Sequence, residues 1–170
     1  HYMNAAAYWV RAPIRLARGD ESDGLLAAEH GLSLAREAQD PQVLHPSMAY
    51  YSHLLLDVGQ PAEGSALLDE LFERLQSGPT GLGGEWLVPL AFAVVRLERE
   101  ADLEAALEST TTATPWVRAA RACLAGAFED AADILAGTGA APHEAFARLR
   151  AAEGLVEAGR RAEADAQLQA

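Results

Sequence analysis

The clearest pattern along this chain is Leu44, Met48, Tyr51, Leu55 and Val58, spaced 4, 3, 4, 3. That is the period of one buried helical stripe. Gly59-Gln60-Pro61 follows, a C-cap glycine and then a proline placed to open the next helix, which buries Leu68, Leu71, Phe72 and Leu75. Upstream, Asn4 caps a helix running to about Arg18, with Gly19-Asp20 to stop it. Pro13 falls inside that helix and predicts a kink or a late start. A second helix spans about Ser22 to Ala38 and ends at Gln39-Asp40-Pro41. Downstream, Trp86, Leu90, Ala93 and Leu97 repeat the 4, 3, 4 spacing, with Pro89 perturbing the first turn. A short acidic helix covers about Ala101 to Glu108, Trp116 opens another, and Phe128 to Leu135 makes its partner. Pro142 to Ala158 and Arg160 to Ala170 complete a set of ten. Two breaks interrupt the pattern: a glycine-rich loop near residues 77–84 and a threonine-rich linker near 109–115.

The ten helices read as five hairpins with similar turns. Leu16-Ala17-Arg18-Gly19, Leu56-Asp57-Val58-Gly59 and Val156-Glu157-Ala158-Gly159 each end a helix in glycine, and Leu124-Ala125-Gly126 is a variant. Leu97-Glu98-Arg99-Glu100 has lost the glycine. Equivalent points recur mostly every 33 to 41 residues, the period of stacked helical hairpins. A lone hairpin cannot cover its own apolar face, so neighbours must stack. The expected fold is all-α, a right-handed α–α superhelix forming one domain over residues 1–170.

Composition supports this. Alanine, the strongest helix former, supplies 37 of 170 residues, and aromatic residues only 6%. Strand formers are scarce, which argues against a sandwich or a doubly wound sheet. The formal charge of −12 argues against nucleic acid and against an anionic membrane surface as partners. Lysine is absent while arginine numbers 13, which points to coding bias rather than chemistry. The single cysteine, Cys123, excludes an intrachain disulfide and fits a reducing cytoplasm. No apolar run is long enough for a transmembrane helix, and the first residues do not make a signal peptide. The chain starts on His1 and stops within a helical pattern, so it reads as an excerpt of a longer multidomain polypeptide.

The last third carries a family likeness. Thr114-Pro115-Trp116, Ala125-Gly126-Ala127-Phe128-Glu129-Asp130-Ala131-Ala132, Glu144-Ala145-Phe146-Ala147-Arg148-Leu149-Arg150-Ala151-Ala152-Glu153 and Ala158-Gly159-Arg160-Arg161-Ala162-Glu163-Ala164 resemble degenerate tetratricopeptide repeats. They look like the C-terminal repeat region of large bacterial signalling ATPases, adenylate-cyclase-linked or LuxR/MalT-type regulators. The resemblance implies a packing scaffold that binds protein. No hairpin carries the family's full set of Trp, Gly and Tyr, and no G-x-x-x-x-G-K-[ST] stands anywhere in the chain.

Several residue groups could carry chemistry. His53 and Asp57 stand four apart with His45 eight before, but a metal needs three or four convergent ligands. A partly buried imidazole bonded to Asp57 is the plainer reading. Cys123 in Arg121-Ala122-Cys123-Leu124-Ala125 suits a helix interface better than a nucleophile. Gly78, Gly81, Gly83 and Gly84 follow no strand and precede Glu85, so a phosphate loop is disfavoured. The carboxylates of Asp69, Glu70, Glu73, Glu98, Glu100, Asp102, Glu104, Glu108, Glu129, Asp130 and Asp133 read as a solvated face, with a basic partner as the sharper alternative. Glu70 with Arg74 and Glu144 with Arg148 make i, i+4 pairs. Arg11, Arg15 and Arg18 form a basic stripe suited to docking against another domain or an acidic end of another copy. Trp9, Trp86 and Trp116 read as packing residues between hairpins, and Tyr50 as the exposed aromatic.

The expected role is a non-catalytic protein–protein or interdomain scaffold without cofactor or metal. Its candidate interaction surface comprises Arg11, Arg15, Arg18, His45, Tyr50 and His53. Its partner would be a peptide, a helix or a sister domain of the same polypeptide. Two rivals are a small-molecule effector-sensing module, with a pocket lined by His45, Tyr50 or His53, and a small all-α enzyme using His53 and Asp57 with a third residue.

Overall fold

A computed structural model describes residues 2–77, 82–108 and 110–169. Among them stand ten helices and no strand: α1 (Tyr2–Ala17), α2 (Glu21–Ala38), α3 (Pro41–Asp57), α4 (Pro61–Ser77), α5 (Leu87–Arg96), α6 (Glu100–Leu107), α7 (Pro115–Leu124), α8 (Phe128–Ala136), α9 (Ala141–Glu157) and α10 (Arg161–Gln169). The chain is all-helical, as its alanine content and spacing require. None of these helices is long and apolar enough to cross a membrane.

Local chemistry sets the helix ends. Asp40 opens α3 by accepting from the Gln42 N–H at 2.9 Å, and Pro41 takes the first turn, where a missing donor costs nothing. Thr114 does the same for α7, accepting from Val117 N–H at 3.2 Å. Its hydroxyl also donates to the Gly83 carbonyl at 3.1 Å, which ties the threonine-rich linker to the segment before α5. Of the two sequence breaks, residues 78–81 and 109 lie outside the described residues. Pro13 does not delay α1, which is helical on both sides of it.

The turns share one geometry. Gly19, Gly59, Gly126 and Gly159 all have φ between 71° and 83°. In each case the next residue's N–H bonds the carbonyl five positions back: Asp20 to Arg15 at 3.0 Å, Gln60 to Leu55 at 2.8 Å, Ala127 to Ala122 at 2.9 Å and Arg160 to Leu155 at 2.8 Å. This left-handed cap satisfies carbonyls that the helix end would otherwise orphan. The turn that lacks glycine keeps the geometry. Glu98 has φ 55° and Arg99 N–H bonds the Val94 carbonyl at 2.8 Å.

Each helix packs on its chain neighbour in the pairs α1–α2, α3–α4, α5–α6, α7–α8 and α9–α10. Contacts also join α1 to α3, α3 to α5 and α5 to α7. Small residues set the spacing. In α2, a Cβ on Gly31 would lie 2.6 Å from Tyr8 Cβ, and one on Gly24 would lie 3.2 Å from the Ala12 carbonyl. Between α3 and α4, Ser52 Oγ donates to the Gly64 carbonyl at 3.0 Å in a buried contact. The main core runs from Ala5 to Ala147 and is densest in α3 and α5. Every residue from Leu87 to Val94 is buried, as is every residue from Val43 to Ala49. The single stripes expected for these two helices are therefore too narrow, because both are enclosed on nearly all sides.

Glu98 occupies a backbone region that costs an L-residue about 1 kcal/mol. Glu98→Gly is expected to raise stability by about that amount, and Gly59→Ala to lower it similarly. For a chain of this size the shifts are roughly 2–4 °C in melting temperature, upward and downward respectively. Thermal melts of the two variants check both signs.

Candidate functional site

The second stripe of α3 carries the unusual chemistry. Pro46, Tyr50, His53 and Asp57 are spaced 4, 3, 4, so they share one side of the helix, and α9 lays side chains across that side. The His53 ring meets Phe146 edge-on with centroids 4.7 Å apart, and Phe92 of α5 lies 5.8 Å away. Phe92 and Phe146 meet at 4.6 Å. Further along, Tyr50 has His143 at 6.2 Å on one side and stacks on Trp9 at 5.9 Å on the other. Trp9 Nε1 donates to Ser47 Oγ at 2.8 Å, which fixes the indole against α3. Arg150 sits 5.0 Å over the Phe146 ring. Side chains from α1, α3, α5 and α9 thus converge in one imidazole–aromatic seam.

The electrostatics of the seam follow from burial. His53 has a side chain only 14% exposed, with Nε2 3.6 Å from Asp57 Oδ2. Its pKa falls to about 4, because desolvation outweighs the pull of Asp57, while Arg96, His143 and Arg150 add to the depression. The ring is neutral at pH 7, and the contact with Asp57 is not a charge pair. Asp57 instead accepts from Arg96 Nη1 at 2.6 Å, and Arg96 Nη2 donates to the Leu56 carbonyl at 3.0 Å. His53 Nδ1 is buried without a hydrogen-bond partner. His143 is also held below the usual histidine range by burial, with Glu85 opposing. Tyr50 is pushed well above the usual phenol range by burial first and then by Glu85.

The six residues of the expected surface do not assemble into one site. Arg11 and Arg18 are exposed, with Arg11 5.8 Å from the Tyr8 ring centroid. Arg15 is engaged with Asp20 and Asp23 at 3.5 Å each. His45 is buried, 6.2 Å from Trp86, and burial followed by Arg74 lowers its pKa. Tyr50 is not the exposed aromatic expected, since Trp9 and His143 flank it. His53 lies under Phe146. Of the three α3 residues, Tyr50 and His53 lie in the seam beneath α9, whereas His45 faces Trp86.

The other groups fall where packing puts them. Cys123 is fully buried, and desolvation pushes its thiol up to about 12, so it behaves as a small hydrophobe rather than a thiolate. Trp86 is buried just ahead of α5, while Trp9 and Trp116 are half-buried against the main core. Glu70 bridges Arg36 and Arg74, Arg148 holds Glu144 at 2.9 Å, and Arg99 holds Asp69 and Asp102 at 2.8 Å each. Of the carboxylates expected to form a solvated face, Asp69, Glu70, Asp102 and Asp133 are instead engaged in ion pairs. No group of three or more His, Cys, Asp or Glu residues among the described residues is placed to hold a metal.

Sequence reasoning missed His143, Phe146 and Arg150 as partners of α3. Their i, i+3, i+7 spacing on α9 marks one face, but which distant helix that face meets is a tertiary fact. No protein-family model matches this chain, and neither a curated protein nor a solved structure gives a significant match.

A histidine held neutral in the folded state loses stability once the unfolded chain binds a proton and the folded one does not. For His53 that window runs from its ordinary value of 6.5 down to about 4. Roughly 3 kcal/mol is at stake at about 1.4 kcal/mol per unit. Urea midpoints should therefore fall as pH drops through this window, and His53→Leu should flatten the fall. An unchanged slope in His53→Leu would show that the imidazole is not the cause.

Proposed function

We propose that this chain is a non-catalytic helical-repeat scaffold, a tetratricopeptide-like right-handed superhelix of five hairpins that binds protein. The observation that carries the reading is the recurrence of one turn geometry at Gly19, Gly59, Glu98, Gly126 and Gly159 between consecutively packed helices. Repetition of one supersecondary unit, each covering its neighbour's apolar face, is how repeat proteins build extended surfaces. The family likeness in residues 114–164 supports the same reading and suggests a setting within a bacterial signalling protein.

The seam changes where such a scaffold would bind. A groove lined by α3 would need Tyr50 and His53 free, and α9 takes both. One surface open to a partner is the outward side of α1, where Val10 and Ile14 are exposed beside Arg11 and Arg18. Exposed apolar residues rimmed by charge suit protein recognition.

A photo-reactive phenylalanine analogue at position 14 in cells tests this, with the same analogue at Ser33 on the polar side of α2 as the control. Adducts to a protein, or to another part of the same polypeptide, are expected from position 14 and not from 33. Position-independent adducts, or none, would sink the scaffold reading.

A further inference from the structure

All six exposed large hydrophobic residues among the described ones lie on the first two or the last two helices: Val10, Ile14 and Leu26, then Leu149, Val156 and Leu168. Among the described residues, the helices between carry none. The charges beside them differ in sign. No carboxylate stands among residues 2–19, which hold Arg11, Arg15 and Arg18, although the whole chain is at −12. Val10, Arg11 and Ile14 of α1 and Arg18, in the turn just past its end, fall at i, i+1, i+4 and i+8, so they form one apolar and basic stripe. On α9, Leu149, Glu153, Val156 and Glu157 fall at i, i+4, i+7 and i+8, one apolar and acidic stripe. Glu153 is shared with Arg150 at 2.9 Å and keeps its side chain 47% exposed. Arg161 and Asp165 of α10 stand four apart and offset each other.

We infer that the α1 stripe docks on the α9 stripe of a second copy of this chain, head to tail. This deepens the scaffold reading by naming the occupant of the α1 face. Val10 and Ile14 would pack against Leu149 and Val156, while Arg11 and Arg18 face Glu153 and Glu157. The two surfaces differ, so the contact is heterologous. Each bound copy leaves one stripe open, and assembly does not stop at two. The opposite charges disfavour the symmetric alternatives, in which α1 would meet α1 or α9 would meet α9 with like charges opposed.

Sedimentation of the purified chain from micromolar to millimolar concentration tests this, with two blocked variants. Val10→Asp with Ile14→Asp closes the first stripe, and Leu149→Asp with Val156→Asp closes the second. The wild-type mass should keep rising with concentration. Each variant alone should associate at least about tenfold more weakly, since buried aliphatic side chains are what it loses. Mixed together they should form a one-to-one complex, because each retains the face the other has lost. A mixture that stays monomeric, a dimer lost only in the α1 variant, or a wild type monomeric throughout would overturn the proposal. If either variant loses helical circular dichroism, charge reversal decides instead. Arg11→Glu with Arg18→Glu should weaken association, and Glu153→Arg with Glu157→Arg on the partner should restore it. A monomeric wild type that still gives adducts from position 14 would remove self-docking and leave the scaffold reading standing.

Discussion

A helix that is apolar around its whole circumference cannot rest on one neighbour. From Leu87 to Val94, α5 has no buried polar side chain and no exposed residue, so it has to be enclosed. Its contacts with α3, α6 and α7 cover most of its surface, and Phe146 from α9 covers Phe92. The remaining architecture accommodates that demand. α3 is sandwiched between α1 and α5 and becomes nearly as buried. α9 lies far along the chain from α3 and α5, yet it lays a phenylalanine and an imidazole across them. The seam that closes the α3 face is thus a consequence of how the centre is packed.

The seam is also where the polar accounting is least comfortable. A buried, unpartnered His53 Nδ1 costs free energy that a leucine would not. What the imidazole supplies in return is shape, a flat ring that meets Phe146 edge-on and lies beside Phe92. Elsewhere the charged groups are well matched. The Arg36–Glu70–Arg74 cluster and the Arg99 pair with Asp69 and Asp102 join different helices across the surface. Exposed pairs of this kind fix geometry more than they stabilise.

The secondary structure was legible because its signals are local. Pro61 marks a helix start and glycines at 19, 59, 126 and 159 mark left-handed caps, while Pro41 and Pro115, which read as the end of a helix and of a linker, open α3 and α7. The Glu70–Arg74 and Glu144–Arg148 pairs follow from spacing alone and are present. What the spacing could not show is what faces what. Tyr50 sits outside the 44, 48, 51, 55 stripe and so reads as exposed, because the periodic argument assumes one buried side. His45 misleads for the same reason: polar and off the stripe, it is nonetheless buried. Glu98 is the opposite case. The sequence places a turn here without its glycine, and the flanking hydrogen bonds hold the backbone in the same left-handed form.

An array in which each helix touches only those one or two places away would melt piece by piece, each pair fraying from an end at its own temperature. The contacts of Phe146 and His143 with α3 break that rule by tying the penultimate helix to the centre of the molecule. Closing so long a loop costs only logarithmically more entropy than closing a short one. The return is cooperativity: the last pair cannot detach without uncovering Phe92 and His53, so end and middle unfold together.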